Sequence, residues 1–288
     1  FEETTYERQQ PFAIRKFDPV LNGQWIGAGV AYGPYRDGQR PGSVDLPSRQ
    51  QIKEDLELIA RHWNLLRLYG SVDNAEMILT TIRDERLPLR VMLGAWVGRE
   101  EVFDKQGNFV RKDEVGIGAN RREISSAIRL AKEFPELVIA INVGSESQVD
   151  WSQHRLPQER LIQYIRQVRA ATAVPVTTAD DFTYWRKPES QEVADEVDLI
   201  VAHIYAMWHG KQPESALAFT VAEFEQLKQL HPDRQIVVGE VGWATRMHDH
   251  GLQAELIKGQ AGEAEQKRFF EDLTEWSQAN KVVTFYFE

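Results

Sequence analysis

Two glutamates stand directly behind apolar runs that read as strands. Glu146 follows Ile141-Asn142-Val143-Gly144-Ser145, and Glu240 follows Ile236-Val237-Val238-Gly239. Paired carboxylates facing one another across a cleft are the equipment for cutting a glycosidic bond. One protonates the departing oxygen, and the other attacks the anomeric carbon from the opposite side. A retaining mechanism needs the two carboxyl groups about 5–5.5 Å apart, a separation the sequence leaves open. The plainer reading of a single such Glu is a helix-start cap or a partner for a surface Arg. Two of them, each close behind a glycine and an apolar strand, favour the paired reading.

Polar and aromatic neighbours fit the same chemistry. Asn142 can bond a sugar hydroxyl beside the cut bond, and Arg67 and Tyr69 project near the end of the second strand. Tyr205 ends the sixth strand and can donate to the Glu240 carboxylate, holding it ionised. Of eight Trp, five (Trp96, Trp151, Trp185, Trp208 and Trp243) follow strand ends, joined by Tyr32 and Tyr184. Exposed aromatic rings are platforms for the C–H faces of pyranoses, although two or three of these Trp are expected to pack within loops.

The histidines carry less information. His203 and His209 flank the sixth strand, and His248 and His250 form an H-x-H pair. Without a third ligand at strong spacing, all four read as solvated loop histidines, and no metal site is expected. Gly27 and Gly29 do not extend to a G-x-G-x-x-G, no Walker loop is present, and Gly144-Ser145-Glu146 is out of frame for a nucleophile elbow. No cofactor is therefore expected. Two other classes stay open: a metal-dependent hydrolase using the histidines, and a non-catalytic carbohydrate-binding domain.

A frame must bring residues 94 positions apart to one hollow. Short apolar runs start at Trp25, Leu65, Leu89, Leu137, Val174, Leu199, Gln235 and Val282. They are near-continuous, as parallel strands buried on both faces are. Between them, Ile52, Leu56, Ile59 and Trp63 share a helical face, with Ser48 and Gln51 forming a capping-box pattern. Ile124, Ala127, Ile128 and Ala131 repeat that spacing, as do Leu161, Ile165 and Val168, then Leu217, Val221 and Phe224, then Phe269, Leu273 and Trp276. Eight β/α units predict a single-domain α/β chain, a (β/α)8 TIM barrel, in preference to an open doubly wound sheet. Loops after helices are short. Loops after strands are long (32–47, 97–116, 180–189 and 241–262), on the face where such barrels keep their active sites.

Residues 1–23 are mixed and polar and read as an N-terminal extension, with the barrel spanning 24–288. The chain stops at the eighth strand, with no eighth helix. The expectation is that the natural protein continues; the alternative is that a segment such as residues 1–23 covers the gap. The first residue is Phe, not Met, which reads as a processed or excised product. The composition excludes other classes. Among 288 residues, 34 Lys and Arg face 44 Asp and Glu, a net charge of −10. Such a chain is a poor nucleic-acid or anionic-membrane binder. No Cys is present, which removes disulfides, zinc–thiolate sites and thiol nucleophiles.

The motifs also resemble a known family. Asn142-Val143-Gly144-Ser145-Glu146 resembles the Asn-Val-Gly-Asn-Glu acid/base motif of glycoside hydrolase family 17. Val238-Gly239-Glu240-Val241-Gly242-Trp243 resembles that family's Gly-Glu-Thr-Gly-Trp nucleophile motif. Gly29 to Tyr35 is similar to its first strand, Leu66-Arg67-Leu68-Tyr69 to its second, and Phe285-Tyr286-Phe287-Glu288 to its eighth. Gly33 to Gln39 resembles the bacterial branch, which includes domains of β-glucan synthases. The resemblance implies a (β/α)8 barrel, a retaining mechanism, β-1,3-glucan as substrate, Glu146 as acid/base and Glu240 as nucleophile. Glu146 is then expected to be buried beside the second carboxylate, an environment that favours the protonated acid. The acceptor is water in a hydrolase and a glucan hydroxyl in a glucanosyltransferase, and the synthase-like branch favours transfer. A periplasmic or extracellular location is expected, and a tether to a membrane glucan synthase in a longer protein is compatible with it. Two departures matter: Ser145 replaces the usual Asn, and the segment past Glu288, a candidate sugar contact, is missing.

Overall fold

The computed structural model describes residues 4–287. Eight parallel strands close into a barrel: β1 (Ala28–Ala31), β2 (Leu65–Arg67), β3 (Arg90–Ala95), β4 (Val138–Ser145), β5 (Val176–Asp181), β6 (Leu199–His203), β7 (Gln235–Val241) and β8 (Thr284–Tyr286). Each strand lies between its neighbours in sequence, and β8 closes on β1 with Phe285 opposite Gly29. The alternation of side chains explains the continuous apolar runs. Leu65, Met92, Ala140, Ala179, Val201, Val237 and Phe285 fill the barrel interior. Their neighbours Leu66, Val91, Ile141, Ile200 and Val238 face the helices.

The helices follow their predicted faces where the period is long enough to read. In α1 (Arg49–Ile59), Ile52 and Leu56 are fully buried. Ser48 and Gln51 form the capping box, each side chain accepting from the other's backbone N–H. Next come α2 (Ala75–Asp84), α3 (Glu114–Glu133) and α4 (Gln158–Ala171). The fifth unit differs. The predicted loop 180–189 holds the end of β5 and a single turn, α5 (Phe182–Trp185), followed by α6 (Ser190–Ala194). The chain continues through α7 (Pro213–Leu230), α8 (Gly251–Leu256) and α9 (Glu263–Asn280). A hairpin of Glu101–Phe103 with Phe109–Lys112 occupies the predicted loop after β3.

The N-terminal segment is part of the barrel's floor. Phe17 and Ile26 join the interior cluster from below. Upstream, Arg15 donates its backbone N–H to Asp198 and its guanidinium to the carbonyls of Val174 and Arg169. Tyr6 meets Gln163 and Arg166 on α4. The segment therefore runs beneath α4 and the entry to β6, and does not stand in for an eighth helix beside β8. No helix among the described residues is long and apolar enough to cross a membrane.

Candidate active site

The glutamates meet because strand alternation aims the right residues at the mouth. Leu65 and Val201 face the barrel interior, so Arg67, two residues beyond Leu65, and His203, two beyond Val201, face it one layer higher. Arg67 is fully buried. Its guanidinium donates to Glu240 Oε1 at 2.9 Å, to the Gly239 carbonyl at 2.9 Å and to Ser145 Oγ at 3.2 Å. Tyr69 Oη donates to Glu240 Oε1 at 2.9 Å, and Tyr205 Oη donates to Oε2 at 2.8 Å. Phe287 packs edge-on against both tyrosine rings, at 6.3 and 6.1 Å, and braces them. Burial alone would push the Glu240 carboxyl up. His203, Arg67 and the two hydroxyls outweigh it and hold the group below its ordinary value. Burial and the neighbouring carboxylate push the Tyr205 phenol well up, so it stays a donor.

Glu146 is presented differently. It sits at φ +48°, in the left-handed region that costs an L-residue about 1–2 kcal/mol. Its backbone N–H bonds the Ala179 carbonyl at 2.9 Å. The side chain is 33% exposed, against 10% for Glu240. The expected burial of Glu146 is thus corrected: the left-handed turn lifts it out of the barrel, and Glu240 is the buried member. Between them lies His203, fully buried, with Nδ1 2.9 Å from Glu146 Oε1 and Nε2 3.4 Å from Glu240 Oε1. One oxygen of each glutamate and a ring nitrogen of His203 lie within 4.8 Å of one another. The ring fits over Gly239, where a Cβ would lie 3.3 Å from it and 2.2 Å from Val201. This trio could geometrically hold a cation, but a cation there would meet the Arg67 guanidinium. The donor set suits proton handling.

Comparison with known proteins matches this site to a family. The family model for the BtgE/BtgC glycoside hydrolase domain matches residues 29–288. The chain belongs to that family. It is 24% identical over 260 residues to a probable glucan endo-1,3-beta-glucosidase, btgC, of Aspergillus clavatus, covering 84% of this chain and 34% of that protein. A glucan 1,3-beta-glucosidase of Arthroderma benhamiae is 22% identical over 263 residues, covering 88% of this chain and 75% of that protein. The chain thus spans about a third of the length of the Aspergillus relative. Among solved structures, an endo-laminarinase from Formosa has a TM-score of 0.76 at 23% identity, covering 93% of this chain and 80% of that one. A family 17 beta-1,3-glucanosyltransferase from Rhizomucor miehei has a TM-score of 0.69 at 19% identity, covering 90% and 85%. An active-site mutant of that enzyme in complex with laminaritriose has a TM-score of 0.71 at 18% identity, covering 91% and 86%. These structures share the fold, and the family 17 resemblance of the glutamate motifs agrees with them.

In this BtgE/BtgC domain the other sequence candidates divide. A cavity of about 500 Å³ opens beside Tyr69 and is lined by Tyr32, Tyr35, Trp96 and Glu123 among others. Trp96 is exposed there and packs on His154 at 4.8 Å. Tyr32 lends its ring to the cavity wall while its hydroxyl donates to Asp55. Trp151 and Trp208 are exposed on the loops after β4 and β6, outside the bonded cluster around the glutamates. Two candidates are corrected. Trp185 and Trp243 are buried, their indole N–H groups donating to the carbonyls of Val201 and Gln260. Asn142 is 2% exposed, and its amide N–H₂ donates to the Gly144 carbonyl two residues on, so that group is committed to the turn before Glu146. Glu288 lies outside the described residues. The reading of His203 as a solvated loop histidine is overturned, while His248 and His250 are exposed. His203 and Phe287 were missed as site residues. Their signal was in-register alternation, His203 with Val201 and Phe287 with Phe285.

Proposed function

We propose that the chain is a retaining β-1,3-glucan-active enzyme. It cleaves a glucosidic bond through a covalent glycosyl-enzyme and passes the glycosyl group to a glucan acceptor or to water. The observation that carries this reading is the glutamate pair, with one oxygen of each within 4.8 Å, nearer to the roughly 5–5.5 Å between the carboxyl groups of a retaining pair than to the roughly 6.5–9.5 Å of an inverting one. The substrate class rests on relatives named for 1,3-β-glucan and on the fold shared with a protein solved with laminaritriose.

The two carboxylates have opposite settings, which fits opposite roles. Glu240, held ionised by three donors, attacks the anomeric carbon. A carboxylate–carbon bond forms as the glycosidic C–O bond breaks, and Glu146 gives its proton to the departing oxygen. Its one-third exposure suits a group that must touch a leaving group and then an acceptor. In the second step Glu146 takes the acceptor's hydroxyl proton, the acceptor oxygen bonds the anomeric carbon, and the bond to Glu240 breaks. Arg67, Tyr69 and Tyr205 hold Glu240 throughout. The cavity of about 500 Å³ beside Tyr69 is large enough for sugar rings, with Trp96 as an aromatic wall.

Incubation with a laminari-oligosaccharide tests this reading. Products longer than the input mean transfer, and only shorter ones mean hydrolysis. In either case the anomer first formed is β. Glu240→Gln should lower turnover by at least about 10³-fold while sugar binding survives. An α product, or retained turnover in that variant, would overturn the assignment.

A further inference from the structure

Glu146 has a demanding geometry and few supports of its own. Among the described residues its side chain has one protein partner, His203, and its backbone is left-handed. Gly144, two residues earlier, is left-handed as well, at φ +79°. A turn with two such residues relaxes unless its neighbours hold it. On the β5 side it is held at two points. The Glu146 N–H bonds the Ala179 carbonyl, and the Gln148 N–H bonds Asp180 Oδ2 at 2.8 Å. The second bond is a side-chain contact, so the sequence could have chosen otherwise.

Asp180 is fully buried. Its other oxygen, Oδ1, accepts the backbone N–H of Asp181 at 2.9 Å. Ala179 faces the barrel interior, so Asp180 turns away from it. The side chain is therefore no sugar ligand, and its carboxylate is spent on two backbone donors. Both oxygens are needed as acceptors. An amide in the same place would turn an N–H₂ group towards one of those donors and leave a buried N–H unpaired.

We propose that Asp180 is a positioning residue for the acid/base, its carboxylate fixing the turn that aims Glu146 at the leaving oxygen. The proposal rests on the reading of Glu146 given above. It has a signature that a general loss of structure lacks. A sugar leaving group needs a proton from Glu146 and an acidic phenol does not, so a misplaced acid harms one reaction and spares the other.

The test compares kcat/KM on a laminari-oligosaccharide with kcat/KM on a dinitrophenyl β-laminaribioside. Asp180→Asn should lose about ten- to a hundred-fold on the oligosaccharide, mostly in kcat, as small misplacements of a catalytic group do. On the aryl glycoside it should stay within about threefold of the wild type. In a Glu146→Gln background, adding Asp180→Asn should cost little more on the oligosaccharide, because the group it positions has gone. Should Asp180→Asn prove too unstable to purify, Asp180→Glu, which keeps both oxygens but displaces them, is read in the same way. Equal losses on the two substrates, or losses that multiply in the double variant, would overturn the proposal. Equal losses for Glu146→Gln alone would instead remove the acid/base assignment, and the role of Asp180 with it.

Discussion

At Glu240, burial and hydrogen bonding pull in opposite directions and the bonded partners win. A carboxyl held below its ordinary value stabilises the fold above that value, and the contribution is lost as pH falls through the folded-state value. The same balance keeps Glu240 ionised, as its proposed role of nucleophile requires. Tyr205→Phe removes the donor to Oε2 and keeps the ring against Phe287. It should lower kcat about ten- to a hundred-fold, the worth of a hydrogen bond to a charged group. It should also move the acidic limb of kcat/KM to higher pH, and a pH–rate profile checks both. At this scale the sequence was legible for the glutamates, Arg67, Tyr69 and Tyr205, whose types declare their chemistry at a strand end. His203 was not legible, because a histidine at a strand end looks the same facing the barrel axis or solvent. Its place is decided by Gly239 on the neighbouring strand, which leaves room for the ring.

At the scale of elements, long periodic helices were legible and single turns were not. In α1, Ile52, Leu56 and Ile59 recur at helical spacing and Ser48 marks its start. In α5 only four residues are helical, too few for any period, and three of them, Phe182, Tyr184 and Trp185, are buried. Trp185 therefore read as a cleft aromatic although it packs beneath the loop, with its indole N–H on the Val201 carbonyl. The two kinds of tryptophan should respond differently to removal. Trp185→Ala should destabilise the fold by about 3–5 kcal/mol, the usual cost of emptying a core aromatic, as read by chemical denaturation. Trp96→Ala should leave stability within about 1 kcal/mol and raise KM for laminari-oligosaccharides several-fold. A reversed pattern would return Trp185 to the cleft.

For the whole molecule, eight regularly spaced units were enough to close the barrel, because each strand pairs with its neighbours in sequence. Residues 1–23 were opaque because the ring that matters there, Phe17, lies among other apolar residues such as Phe12, Ile14 and Val20 that are not buried, and nothing in the sequence sets it apart from them. Only the closed floor of the barrel gives it a place. Phe17→Ala should cost about 3–5 kcal/mol of stability while leaving KM unchanged, since it lies at the end of the barrel opposite the glutamates. The cleft, by contrast, is assembled from the far ends of β2, β4, β6 and β7, so the chemistry depends on closure of the entire ring. The most direct test of that chemistry is covalent trapping: incubation with a 2-deoxy-2-fluoro laminari-oligosaccharide donor, proteolysis and mass spectrometry of the peptides. The expected result is one added glycosyl mass on the peptide carrying Glu240, with none in Glu240→Gln. A label on another residue, or turnover of the donor with no adduct and an α product, would contradict the pairing of Glu146 and Glu240.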